Sequence, residues 1–119
     1  LTKTIKENKD ILDTLVEKFY SKDAIIIITY KDEKIMFKEN GEERIIDQEF
    51  KDVLISLFNN LPCKSIILYR ENYSKVLKLF MGADFAVDGD TSLIYREKKG
   101  DDLQEEILPN WYYRMYYHV

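Results

Sequence analysis

Proton transfer, nucleophilic attack and metal binding fall mostly to histidine, cysteine and closely spaced carboxylates. This chain of 119 residues is sparing with the first two, holding one histidine, His118, and one cysteine, Cys63. A Ser-His-Asp or Cys-His arrangement would have to recruit His118, next to the last residue of the sequence. A base there is poorly held within hydrogen-bond reach of a nucleophile. Cys63 follows Pro62 just after a predicted helix and reads as a packing residue at the start of a strand. One cysteine makes neither an internal disulfide nor a four-cysteine zinc site. The four glycines are scattered and form no P-loop or GxGxxG motif.

The carboxylates are abundant, 22 in all, so a close pair suited to glycoside chemistry would arise by chance and says little. Asp84, Asp88 and Asp90 form the most specific cluster, since Asp88-Gly89-Asp90 could offer hard oxygen ligands to Mg²⁺ or Ca²⁺. Asp-Gly between two short apolar runs is first a hairpin turn, however, and the spacing of a calcium loop is not met. No catalytic residue, no metal and no cofactor is expected from these residues.

Charge and aromatic residues are distributed more tellingly. The net charge is -4, and the stretch 84–106 alone carries eight acids and three bases. Leu61 to Ala83 is locally basic, with four bases and one acid. Such an acidic ridge would attract a basic partner and raise its association rate. Beside it lies an aromatic tail, Trp111, Tyr112, Tyr113, Tyr116 and Tyr117, with Arg114 among them. Aromatics interleaved with bases can stack on unpaired nucleotides, but one arginine next to an acidic stretch neutralises few phosphates, so nucleic acid is not the expected partner. Trp, Tyr and Arg are also anchors of protein interfaces. The expected partner-binding residues are therefore Asp88, Asp90, Asp101, Asp102, Glu105, Glu106, Trp111, Tyr113 and Arg114.

The elements that must position these residues follow from hydrophobic spacing. Leu12, Leu15, Val16 and Phe19 predict a helix over about 3 to 20. Ala24 to Tyr30, with four consecutive isoleucines, predicts a strand buried on both faces, paired as a hairpin with Lys34 to Lys38. Asn40-Gly41 supplies a tight turn into a short strand, Glu43 to Ile46. Phe50, Val53, Leu54, Leu57, Phe58 and Leu61 mark a second helix with Asp47 as its N-cap. Ser65 to Tyr69 predicts a strand. Asn72 then caps a third helix with Tyr73, Val76, Leu77 and Phe80 on its inner face, ended by Gly82. Short strands over Ala83 to Val87 and Thr91 to Glu97, a loop or short helix around Leu103 to Ile107, and a closing strand over 111–119 complete the chain.

The expected class is α+β: a mixed, mainly antiparallel sheet with about three helices packed on it, in the order α-β-β-(β)-α-β-α-β-β-(β), helices lying on both faces. Residues 1–119 read as a single compact domain, without linker or repeat. No apolar run exceeds five residues, so no membrane segment is expected. The sequence starts at Leu1, which suggests a trimmed or processed chain or a piece of a longer one. Its 14 Ile and 14 Lys against 3 Ala and 4 Arg fit AT-rich coding, and with it a cytoplasmic protein of bacterial or phage origin.

The order of elements, together with Lys64-Ser65-Ile66-Ile67-Leu68, then Asn72 and a helix running to Gly82 and Phe85, is similar to the second part of the GNAT acetyltransferase fold. The resemblance spans about residues 24 to 97 and implies an acyltransferase-like domain that binds acetyl-CoA. Where that family places its glycine-rich pyrophosphate loop, this chain reads Glu43-Arg44-Ile45-Ile46-Asp47-Gln48, with two acids and no glycine. The leading expectation is instead a small acidic protein-binding module without catalytic activity. In that reading it is an immunity or inhibitor protein occluding a basic toxin or nuclease, with acids mimicking phosphates and Trp111 or a tail tyrosine as anchor. A degenerate acyltransferase domain, or a structural domain of a larger protein, are the alternatives.

Overall fold

The computed structural model describes residues 2–71, 74–81, 89–97 and 105–117. Two short helices open the chain, α1 (Thr2–Glu7) and α2 (Lys9–Leu15), followed by a π-helical turn, Val16–Tyr20. The sequence predicts one helix here. Asn8 divides it, at φ -105° and ψ 22°. Its side-chain amide donates to the Thr4 carbonyl at 2.7 Å, the local competition that disfavours asparagine inside helices. Asn60 Nδ2 donates to Asn8 Oδ1 at 3.0 Å and ties the break to the next helix.

Strands β1 (Ile26–Lys31) and β2 (Lys34–Glu39) form the expected hairpin. Both turn residues, Asp32 and Glu33, take left-handed φ of 52° and 62°, matching the right-handed strand twist. Asn40 and Gly41, at φ 50° and 83°, turn the chain again. The following strand β3 is only Glu42–Glu43, shorter than the predicted Glu43 to Ile46. Helix α3 (Gln48–Asn60) starts where its cap demands: Asp47 Oδ1 accepts from the Phe50 amide at 2.7 Å.

Strands β4 (Ser65–Glu71), β5 (Ser74–Phe80), β6 (Gly89–Tyr95), β7 (Glu105–Leu108) and β8 (Trp111–Tyr117) follow. The fold is α+β, with an eight-stranded sheet in the order β3-β2-β1-β4-β5-β6-β8-β7. Every described pairing is antiparallel. The predicted third helix is β5, bonded to β4 on one side and β6 on the other. Val76, Leu77, Lys78 and Leu79 are all buried. A central strand buried on both faces loses its alternation, and the three-and-four spacing of Tyr73, Val76, Leu77 and Phe80 then arises without a helix. The order of elements behind the acetyltransferase resemblance is thus not the order observed. Glu105 to Leu108 is likewise a strand rather than the end of a short helix. Asn72, Gly82, Phe85 and the strand expected over Ala83 to Val87 lie outside the described residues.

Register assigns each strand residue to a face. One row reads Phe37, Ile28, Ile66, Leu79, Leu93 and Tyr113, and the next Ile26, Leu68, Leu77, Tyr95 and Trp111. These join Ile5, Leu12, Leu15 and Phe19 with Phe50, Leu54, Leu57 and Phe58 in the main core. Each such side chain contributes about 1.5–3 kcal/mol when removed from water. Phe19 meets the Phe50 ring edge-on at 4.8 Å and Phe37 at 5.7 Å, holding the π-helical turn against both α3 and β2. All the described helices bury side chains in this one cluster. They occupy one face of the sheet, where the sequence predicts helices on both.

Candidate partner-binding surface

The opposite face has its own row, continuous across all eight strands: Glu43, Lys38, Ile27, Ile67, Lys78, Ile94, Tyr112 and Glu106. Its two halves differ. Toward β6 and β8, Val76, Ile94 and Tyr112 are buried in a second, smaller cluster against Tyr69. Toward β1 and β2 the apolar residues stay in water, with Ile25 53%, Ile27 38% and Met36 44% exposed. Phe80, 36% exposed, continues the patch from β5, since Met36, Thr29, Ser65 and Phe80 share one row. The four isoleucines expected to be buried on both faces therefore divide, Ile26 and Ile28 into the core at 1% and 0%, Ile25 and Ile27 outward. Scattered apolar residues on a surface need no explanation, but neighbours in register on one open sheet face form a patch of the kind that marks interaction sites.

The sequence-predicted residues fare unevenly. Asp88, Asp101 and Asp102 lie outside the described residues, as do Asp84 and His118. Asp90 stands in β6 opposite Tyr116, and Arg114 in β8 opposite Ser92. Glu105 is exposed on β7, the outermost strand on that side. Glu106 is exposed but already employed: its carboxylate accepts from the Asn110 amide at 3.1 Å. This closes the turn between β7 and β8, where Asn110 takes φ 66°. Tyr112 is buried, and burial together with the neighbouring Glu106 carboxylate pushes its phenol above the ordinary range. Tyr113 is half-buried opposite Glu105. Its phenol is pushed up to about 12, first by burial and then by that carboxylate.

Trp111 needs correction as an anchor. It is 1% exposed in the main core. Its ring meets Tyr95 edge-on at 5.2 Å, and Tyr95 meets Tyr20 at 4.8 Å. A side chain so enclosed offers no surface to a partner and serves the fold. Cys63 is buried as expected of a packing residue, and burial pushes its thiol up to about 12.

On the helix-covered side, a cleft of about 660 Å³ opens between the π-helical turn and the end of the β4–β5 pair. Tyr20, Arg70, Lys75, Tyr95 and the acids Glu17 and Glu97 line it. Three of its polar side chains already have partners. Tyr20 donates to the Lys75 carbonyl at 2.9 Å, Lys75 Nζ lies 5.8 Å from the Tyr20 ring centre, and Arg70 pairs with Asp23 at 3.2 Å. Among the described residues that line it there is no histidine or cysteine to act as base or nucleophile. Among the described residues no three His, Cys, Asp or Glu side chains gather as metal ligands, and no described helix is long and apolar enough to cross a membrane. Comparison with family models, with curated proteins and with solved structures returned no match.

The open apolar patch was missed by sequence reading because a strand with isoleucine at every position carries no alternation. The available signal was Met36 flanked by Lys34 and Lys38 in the partner strand, which marks one face as wet.

Proposed function

We propose that this chain is a protein-binding module without catalytic machinery, of the inhibitor or immunity kind, and that it meets its partner with the uncovered face of β1, β2 and β4. The carrying observation is the exposure of Ile25, Ile27, Met36 and Phe80 on one sheet face while the helices cover the other. Exposed aliphatic groups in water are a cost that a bound partner relieves, and methionine adapts readily to a partner's contour. A sheet with eight hydrogen-bonded strands behind it is a rigid platform, which limits the entropy lost on docking. The acidic stretch 84–106 and the net charge supply long-range attraction or repulsion, altering association rate more than contact energy.

The test is a paired capture from the source cells with the wild-type chain and Ile27→Asp. The exposed position lets the variant fold, which a thermal melt checks. A stoichiometric protein held by the wild type and lost by Ile27→Asp supports the reading. A protein held equally by both places the interaction elsewhere.

A further inference from the structure

The open face carries charge of one dominant sign. Lys31, Lys34 and Lys38 are exposed, and their register positions put all three on it beside Ile27 and Met36. None of the three has a carboxylate within ion-pair distance among the described residues. Elsewhere near this hairpin the bases are paired: Lys22 with Glu39 at 3.8 Å, and Arg44 with Glu42 at 2.6 Å. Lys31 and Lys34 stand directly opposite each other across the hairpin, an arrangement that costs a few tenths of a kcal/mol or more without a counter-charge. The acids nearest in sequence, Asp32 and Glu33, sit in the left-handed turn, and Glu43 shares the Lys38 register on the short outer strand β3.

Resting on the reading of this face as a docking surface, we propose that its occupant is an acidic protein segment, with apolar side chains over Ile25, Ile27 and Met36 and Asp or Glu side chains against Lys31, Lys34 and Lys38. Lysine on an outer strand also discourages unwanted strand pairing. That role suits Lys34, beyond the two-residue strand β3, but not Lys38, which β3 pairs, nor Lys31, which lies on an inner strand between β2 and β4. The long lysine stems lie along apolar surface while their ammonium groups reach outward, so one partner segment can bury the patch and satisfy the rim together. A second copy of the chain, face to face, would set lysine on lysine. Nucleic acid would call for stacking aromatics where Ile25, Ile27 and Met36 stand. An anionic membrane surface is bound by clusters of about four to eight basic residues, and Lys31, Lys34 and Lys38 are three exposed ones beside a fourth, Lys78, that is buried.

The experiment pans a displayed random-peptide library on the wild-type chain, then measures the enriched peptides as synthetic ligands against Ile27→Asp and against the combined variant Lys31→Glu, Lys34→Glu, Lys38→Glu. The lysines are exposed, and a melt verifies that the variants fold. The expected peptides join apolar residues with Asp or Glu. They weaken by about tenfold on the lysine variant, as three partly screened ion pairs would give, and weaken further as salt rises. Peptides that are neutral or rich in Lys and Arg, lost on Ile27→Asp but not on the lysine variant, overturn the acidic occupant and leave the docking face standing. Peptides indifferent to Ile27→Asp overturn the docking face itself. Flotation with phosphatidylserine vesicles, if lost in the lysine variant, overturns the proposal in favour of a membrane surface.

Discussion

Trp111→Ala separates a buried fold anchor from an exposed binding anchor more sharply than any other single change. Trp111 is 1% exposed, and its ring stands at one end of an edge-to-face series through Tyr95 to Tyr20. Replacing a core tryptophan by alanine costs about 3–5 kcal/mol through lost transfer energy and the cavity left behind. Against the roughly 5–15 kcal/mol that keeps a domain folded, that is about a fifth of the total or more. With a urea slope of about 1–3 kcal/mol per molar, the midpoint should fall by on the order of 2 M. Trp111→Phe should cost less, because the indole Nε1 has no hydrogen-bond partner among the described residues and its removal strands no acceptor. Urea melts followed by far-ultraviolet circular dichroism measure both variants. Since Trp111 is the chain's one tryptophan, wild-type fluorescence provides an independent check, with native emission resistant to acrylamide until the chain unfolds. A loss below about 1 kcal/mol for Trp111→Ala, the typical size for an ordinary substitution, would refute the reasoning, as would free quenching of the native protein.

Other outcomes follow from particular contacts. Asp47→Ala removes the carboxylate that accepts from the Phe50 amide and should lower stability by about 1 kcal/mol, read from the urea midpoint at unchanged slope. Glu33→Gly relieves a left-handed φ of 62° and should raise stability by about 1 kcal/mol, visible as an upward shift in Tm. Cys63, with its thiol held up to about 12 in the core, should react with a thiol reagent at neutral pH only as fast as the chain opens; immediate reaction would place it at the surface. Tyr113 is held up to about 12 against an ordinary 10. The unfolded chain therefore ionises first as pH rises, and the associated stability is complete below pH 10 and is lost as pH climbs through the folded value. Alkaline melts of the wild type and Tyr113→Phe should diverge in that window, the variant declining less.

Much of the fold is legible in the sequence where local chemistry speaks with one voice. Asp47 before an unbroken apolar stripe gives α3, and Asn40-Gly41 gives its turn, because cap and left-handed φ are local requirements. Legibility fails where tertiary pairing decides. Tyr73, Val76, Leu77 and Phe80 have helical spacing, yet the free hydrogen-bonding edges of β4 and β6 claim that segment as β5. The same failure hides the candidate surface: in Ile25-Ile26-Ile27-Ile28 only the register says which two enter the core. Aromatic content misleads about Trp111 for a related reason, since residue type does not say which face of β8 points toward the helices.

The proposed docking site is the exposed apolar face of β1, β2 and β4. Hydroxyl-radical footprinting of the chain alone and in complex with the captured partner measures this at single residues. Met36, 44% exposed, should oxidise readily in the free chain and become protected in the complex, while Met81, 1% exposed, stays silent in both as an internal control. Undiminished oxidation of Met36 in the complex, with protection appearing around Glu105 and Tyr113 instead, would contradict the account and return the interaction to the acidic edge.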